Sequence, residues 1–205
     1  MITLWGRKNS INVQKALWCI EELGLAYERI DAGRGYGVTD MPAYGRMNPN
    51  RLVPTIEIDG FVLWESNTIV RYLSAIHSPG QLWPTDPKVR ADADRWMDWQ
   101  ATAFTPAFGP VFHGVVRTPG SRSREEIEAA IAASENYAAI LDAQLADRRY
   151  VTGETFTMGD IPAGAAAFRW LNLPIERQPR PNVERYVADL LSRPAAQKVL
   201  ILPLT

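Results

Sequence analysis

The chain has 205 residues, 46% hydrophobic and 22% charged, the balance of a soluble globular protein with one large or two modest domains. A net charge of −1 gives no electrostatic ground for nucleic acid or an anionic membrane as the main partner. The sequence has no apolar run of about 18 residues, and its first residues lack the basic and long apolar regions of a signal peptide, so neither a membrane helix nor a leader is expected. Ile2 to Trp5 reads as a short apolar strand. Val13, Ala16, Leu17, Ile20 and Leu23 then recur at helical spacing, and Gly24 suits the end of that helix. Tyr27 to Asp31 reads as a second strand, parallel to the first across the helical crossover.

The glycine-rich run from Gly33 to Gly37 lacks a following Gly-Lys-Ser/Thr and an opening helix, so it reads as a flexible loop rather than a phosphate loop. Thr55 to Ile58 and Phe61 to Trp64 form a hairpin around Asp59-Gly60, a favoured type I′ pair. Ile69, Val70, Leu73 and Ile76 mark the next helix. The N-terminal part is therefore βαβ followed by ββα on a mixed four-stranded sheet. Pro79, Gly80, Pro84 and Pro87 mark a linker. Helices are expected from about Val89, Ser123, Gly159, Asn182 and Pro194, making the remainder all helical. The expected division is residues 1–78, a linker 79–87, and 88–205.

Cys19 is the only cysteine, which excludes an internal disulfide or a CxxC pair and favours a cytoplasmic protein. His77 and His113 lack metal-ligand spacing, and no metal site is expected. Two motifs carry more information. In the first, Val53-Pro54 precedes a strand, and Glu65-Ser66 closes the hairpin where a helix begins. A proline there is a candidate cis peptide, which turns backbone N–H and C=O groups toward a ligand. Ser66 offers a hydroxyl and free helix-terminal donors to an anion. In the second, Thr157-Met158-Gly159-Asp160 matches a capping box, with Phe156 and Ile161 at the positions of a hydrophobic staple.

These motifs, in this order, resemble the cytosolic glutathione transferases of bacterial theta-, nu- or beta-like type. The resemblance implies a thioredoxin-like N-terminal domain and an all-helical C-terminal domain. It also implies glutathione as co-substrate, with no metal. In that family the residue that activates the thiol lies in the loop before the first helix. Counting back from Leu23-Gly24-Leu25, Ser10 falls where theta-, delta- and zeta-like members place a catalytic serine. Asn12 falls where beta-like members place a cysteine, and Ser10-Ile11-Asn12 looks most like the Thr-Pro-Asn of nu-like members. Both side chains are donors, so each is able to stabilise a thiolate without acting as a base. By the same resemblance, Arg51 would meet the glycine carboxylate and Val53 the cysteinyl backbone beside Pro54. Glu65 would meet the γ-glutamyl ammonium and Ser66 its carboxylate.

Plainer roles stand beside these. Ser10 and Asn12 would serve as helix caps, Glu65 and Arg51 as solvated charges, and Cys19 as a packed core residue. The second substrate is expected between the domains, in an apolar cleft suited to a hydrophobic electrophile. Its candidate walls are Phe104, Phe108, Phe112, Trp5, His113 and Trp170, although an aromatic stripe at that spacing is more often core. The family habit implies a homodimer, with the helix bearing Trp96, Asp98, Trp99 and Gln100 at its surface and Asp98 or Gln100 reaching the partner's glutathione. The activity implied is transfer of the thiolate to an electrophile, or reduction of a disulfide or peroxide. The alternative is a binding or regulatory module that keeps the fold and the glutathione pocket and does no significant catalysis.

Overall fold

A computed structural model describes residues 1–205. Strand β1 (Ile2–Trp5), helix α1 (Ile11–Glu22), strand β2 (Tyr27–Ile30), strands β3 (Thr55–Ile58) and β4 (Phe61–Trp64), and helix α3 (Ser66–His77) form the N-terminal unit. The sheet order is β2-β1-β3-β4, with β1 parallel to β2 and antiparallel to β3. Ile2 and Leu4 alternate into the core while Thr3 and Trp5 are half-buried, the period of a strand with one packed face. The β3–β4 turn has positive φ at both Asp59 (49°) and Gly60 (83°), as a type I′ hairpin requires.

The expected βαβ-ββα order gains one element. Between β2 and β3 the chain makes a single 3₁₀ turn at Val38–Asp40 and then helix α2 (Pro42–Met47). Proline at its first turn starts it, and buried Tyr44 anchors it. Six residues are too few for an apolar period to stand out in the sequence. The Gly33–Gly37 run is a loop, as its sequence implies.

The C-terminal unit holds α4 (Pro87–Trp99), α5 (Thr105–Val111), α6 (Arg124–Gln144), α7 (Asp160–Leu171), α8 (Pro181–Leu191) and α9 (Pro194–Val199). Wide π-helical turns at Gln100–Phe104 and Phe112–Arg117 make α4 and α5 one continuous rod from Pro87 to Arg117. Pro106 and Pro110 remove two N–H donors from that rod, and the regular i→i−4 ladder gives way on either side of them. Helix α7 is buried on every side from Asp160 to Trp170. Gly164 lets it lie against Leu190 and Trp18, where a Cβ would clash.

The capping motif before α7 differs from the expected box. Thr157 N–H donates to Asp160 Oδ2 at 2.8 Å, which is one half of it. The Thr157 hydroxyl does not cap the Asp160 N–H but donates to the same carboxylate at 3.2 Å. That carboxylate also receives Val151 N–H at 2.9 Å and Tyr186 O–H at 3.0 Å. Asp160 therefore gathers four donors from three segments instead of forming a local cap. Phe156 packs on Trp18 and Tyr150. A complete capping box does occur, unanticipated, at Ser123 and Glu126, where α6 begins.

Candidate active site

The β1–α1 loop is held from below. Gly6 N–H donates to Ile30 O (2.9 Å) and Arg7 N–H to Ala32 O (3.1 Å). Gly6 lies so close to Val13 that a Cβ would clash, which keeps the loop tight against α1. The Arg169 guanidinium, on α7, donates to Asn9 O (3.1 Å) and Gln14 Oε1 (3.2 Å). Ser10 takes the position before α1 with extended backbone, is buried, and makes no side-chain cap bond. Its hydroxyl is thus not consumed by the helix, as the capping role would demand. Asn12 is exposed, and its Oδ1 accepts from the Ser66 hydroxyl at 3.4 Å. That leaves the Asn12 amide N–H₂ as a donor toward the groove.

The second wall is the segment from Asn48 to Pro54. Tyr44 O–H donates to Leu52 O (2.6 Å), and Asn48 Nδ2 donates to Leu52 O (3.0 Å) and Thr55 Oγ1 (3.1 Å). This clamp fixes Val53, whose N–H and C=O are used by no other backbone group. The Val53-Pro54 peptide is cis, as expected from the sequence. Across from it, Ser66 opens α3, a helix of 12 residues whose first N–H groups have no backbone acceptor. Glu65, just before it, sits at φ 72°, a left-handed conformation that a side-chain-bearing residue rarely adopts. This backbone directs the carboxylate outward, and Glu65 is exposed.

Asn12, Val53, Pro54, Glu65 and Ser66 line one narrow cavity of about 50 Å³. Asn12 and Val53 also line a second of about 280 Å³, which holds Ser10. The two form a continuous groove. Arg51 is not brought into it. Its side chain is exposed and donates to Thr39 O (3.1 Å) and Met41 O (3.4 Å), bracing the 3₁₀ turn and the start of α2.

The wider cavity departs from the expected apolar cleft. Phe108, Phe112 and His113 do line it, but Phe104 and Trp170 are fully buried core and Trp5 lies outside. Arg7, Arg117 and Arg169 line it as well. An open hollow of about 670 Å³ adjoins it through Arg7 but contains none of the sequence-predicted site residues. Of the two residues expected to reach a partner's glutathione, Gln100 needs revision. Gln100 is 1% exposed and donates to Thr105 Oγ1 at 2.5 Å, so it is an interior residue of this chain. Asp98 pairs with Arg71 at 2.5 Å.

Lys15 lies under the groove with its ammonium buried, donating to Asn67 Oδ1 (2.9 Å) and Gln100 Oε1 (3.2 Å). Burial pulls it down to about 7, against the pull of Glu65 in the other direction. Cys19 is packed in α1 and burial pushes its thiol up to about 12, which makes it inert. No group of three or more His, Cys, Asp or Glu side chains is placed to share a metal ion. Lys15 and Arg169 were both overlooked in the sequence, although each carried a signal. Each is the single cation in a largely apolar stretch that is buried all round, at Val13–Ile20 and Ile161–Trp170.

The sheet, the helical unit and the groove between them define a thioredoxin-like domain joined to a helical domain, with a ligand cleft at their junction. Residues 1–75 match the family described as glutathione S-transferase, N-terminal domain, and residues 124–189 match its C-terminal domain. The chain belongs to the glutathione S-transferase family, a family of enzymes. It is 41% identical over 208 residues to the glutathione S-transferase GstB of Escherichia coli (strain K12), with 100% of both chains covered. It is 30% identical to elongation factor 1-gamma 1 of Oryza sativa subsp. japonica, spanning 97% of this chain and 47% of that protein. Among solved structures, the glutathione-bound theta class glutathione S-transferase of Xanthomonas axonopodis pv. citri superposes with a TM-score of 0.95. It has 48% sequence identity, over 100% of this chain and 99% of that one. No helix is long and apolar enough to cross a membrane.

Proposed function

We propose that the protein binds glutathione in the groove, stabilises its thiolate with Ser10 and Asn12, and transfers it to an electrophile. Reduction of a disulfide or peroxide by the same thiolate is a related use of the site. One observation carries the reading. A single groove gathers two side-chain donors at the start of α1, the unused backbone of Val53, and the open N-terminus of α3 with Ser66. In this reading Val53 pairs with the cysteinyl backbone beside Pro54. Ser66 and the first turn of α3 hold the γ-glutamyl carboxylate, and Glu65 holds the ammonium. Arg51 acts on the glycine end only by bracing the 3₁₀ turn and α2, not by direct contact.

The energetics are within reach of this architecture. A free thiol titrates near 8.5, and lowering that by about two units requires roughly 2.7 kcal/mol of preferential thiolate binding. Aimed donors and a helix terminus supply energies of that order. The thiolate itself is the nucleophile, so the protein needs no base of its own.

The reading extends to a cytoplasmic homodimer divided at 79–87. The single buried thiol supports the compartment, and the habit of the family supports the dimer. Likeness to a protein named as an elongation factor favours the alternative of a binding module. The free donors at Ser10 and Asn12 weigh against it. Calorimetry with glutathione is the test. Saturable heat at or below millimolar concentration is expected, and none would overturn both readings.

A further inference from the structure

Resting on the reading of this chain as a glutathione-using enzyme, we propose that its second substrate carries an anionic group, held by Arg7, Arg117 and Arg169 beside the thiolate. The three come from separate elements: the β1–α1 loop, the last π turn of the long rod, and α7. They line the same cavity of about 280 Å³ as Ser10 and Asn12, and no Asp or Glu lines it.

Several other partly buried arginines are matched with carboxylates, while Arg90 and Arg177 donate only to backbone carbonyls. Arg29 meets Asp31 at 2.5 Å, Arg180 meets Glu135 at 3.0 Å, and Arg193 meets Glu22 at 2.7 Å. Arg7, Arg117 and Arg169 form no salt bridge, and the Nε atom of each is buried without a hydrogen-bond partner in the protein. Arg169 is only 2% exposed. Phe112 offers partial relief, with the guanidinium carbons of Arg117 and Arg169 each 4.6 Å from its ring centroid.

Burial and then mutual repulsion weaken the hold of these groups on their protons. Arg169 is drawn down to about 10 by burial and by Arg117 and Arg7, and Arg117 is lowered by burial, Arg7 and Arg34. His113 is lowered by burial and by Arg117, Arg122 and Arg34, so it does not compete as a cation. Arg169 is interior and Arg7 and Arg117 are half-buried, and although Arg169 donates to Asn9 O and Gln14 Oε1, none of the three has a counter-charge. Cations so placed are costly, and an oxyanion that enters between them recovers part of that cost. Forked guanidinium donors suit a carboxylate, sulfonate or phosphate group. Phe108 and Phe112 give the body of the substrate an apolar wall.

The test uses 4-chloro-3,5-dinitrobenzoate and its uncharged primary amide at saturating glutathione. In each, thiolate sulfur forms a C–S bond at the chlorine-bearing carbon. The C–Cl bond breaks, chloride leaves with its electron pair, and the thiol proton passes to solvent. The carboxylate is untouched. Rates are divided by those with glutathione alone. The carboxylate should be favoured by roughly tenfold or more in kcat/KM, and Arg117→Met should abolish that preference while leaving the KM for glutathione unchanged. Arg7→Met, at a separate position, should reduce the preference in the same direction. Equal corrected rates for the two acceptors would overturn the inference and leave the proposed function intact. A preference that persists in both variants, with a raised KM for glutathione, would also overturn it, because the arginines would then hold the tripeptide's own carboxylate. Turnover of neither acceptor would overturn the proposed function along with it.

Discussion

Lys15 gives a pH dependence whose sign follows from its burial. Its ammonium is enclosed by α1, α3 and the long rod, with two amide oxygens as partners, and titrates near 7 in the folded chain against 10.5 when exposed. Between those values the unfolded chain binds a proton that the folded chain does not. Stability therefore rises with pH across the window, by on the order of 1 kcal/mol per pH unit, and the cost of the buried charge is fully present below about 7. Cys19 acts oppositely. Its folded thiol is pushed up from 9.0 to about 12, so above pH 9 the unfolded chain sheds a proton that the folded chain keeps, and stability falls. The clean interval is pH 7.5 to 9. Lys15→Met keeps the aliphatic volume and removes the charge. It also strips Asn67 and Gln100 of a donor, a loss of about 1–3 kcal/mol that does not vary with pH. The slope, not the absolute stability, is diagnostic. Urea unfolding at several pH values in that interval should give a rising stability for the wild type and a nearly flat one for the variant. Equal slopes would refute the assignment and mean that Lys15 stays charged throughout, with the nearby charge of Glu65 outweighing burial.

Other outcomes test the scaffold and the binding end of the groove. Asp160→Ala orphans the Val151 and Thr157 N–H groups and leaves the Tyr186 and Thr157 hydroxyls with partners only at 3.3 Å, the Asp160 backbone carbonyl and the Thr152 hydroxyl. At about 1–3 kcal/mol for each unsatisfied group the cost should reach roughly 3 kcal/mol, lowering Tm by about 6–12 °C in calorimetry. A shift under about 2 °C would show that the carboxylate is not the centre of that junction. Ser66→Ala should raise the KM for glutathione roughly tenfold or more with little change in kcat, since a hydroxyl bond to a carboxylate is worth about 1.5–3 kcal/mol. An unchanged KM would reduce Ser66 to a helix-start residue. Asn48→Ala releases the Leu52 carbonyl and Thr55, and should weaken glutathione binding several-fold through a looser Val53 without touching the ligand. Binding at the wild-type level would show that Tyr44 alone holds the loop.

Much of this architecture is legible in the residues because it is local. Asp59-Gly60 between two apolar runs specifies its turn, and Val53-Pro54 followed by Glu65-Ser66 marks both walls of the glutathione end of the groove. The same locality explains the gaps. Helix α2 is too short for an apolar period. The Thr157–Asp160 motif looked like a self-contained cap, but two of the donors to Asp160 come from Val151 and Tyr186, which only the fold brings near. Arg51 suits an anion by residue type, but its guanidinium turns to the carbonyls of Thr39 and Met41. The charged character of the second cavity was hidden for the same reason. Arg7, Arg117 and Arg169 are more than 50 residues apart in the chain and meet only across the domain junction.

The central claim is that this groove ionises the thiol of bound glutathione, with Ser10 the leading donor and Asn12 the second. Its most direct test is a pH titration of the ultraviolet thiolate absorbance of bound glutathione in the wild type, Ser10→Ala, Asn12→Ala and the double variant. The wild type should titrate below about 7, and Ser10→Ala should raise that value by roughly one to two units, each worth about 1.4 kcal/mol. A larger rise in Asn12→Ala than in Ser10→Ala would reverse the order of the two donors. A wild-type titration near 8.5, the value of a free thiol, would contradict the account.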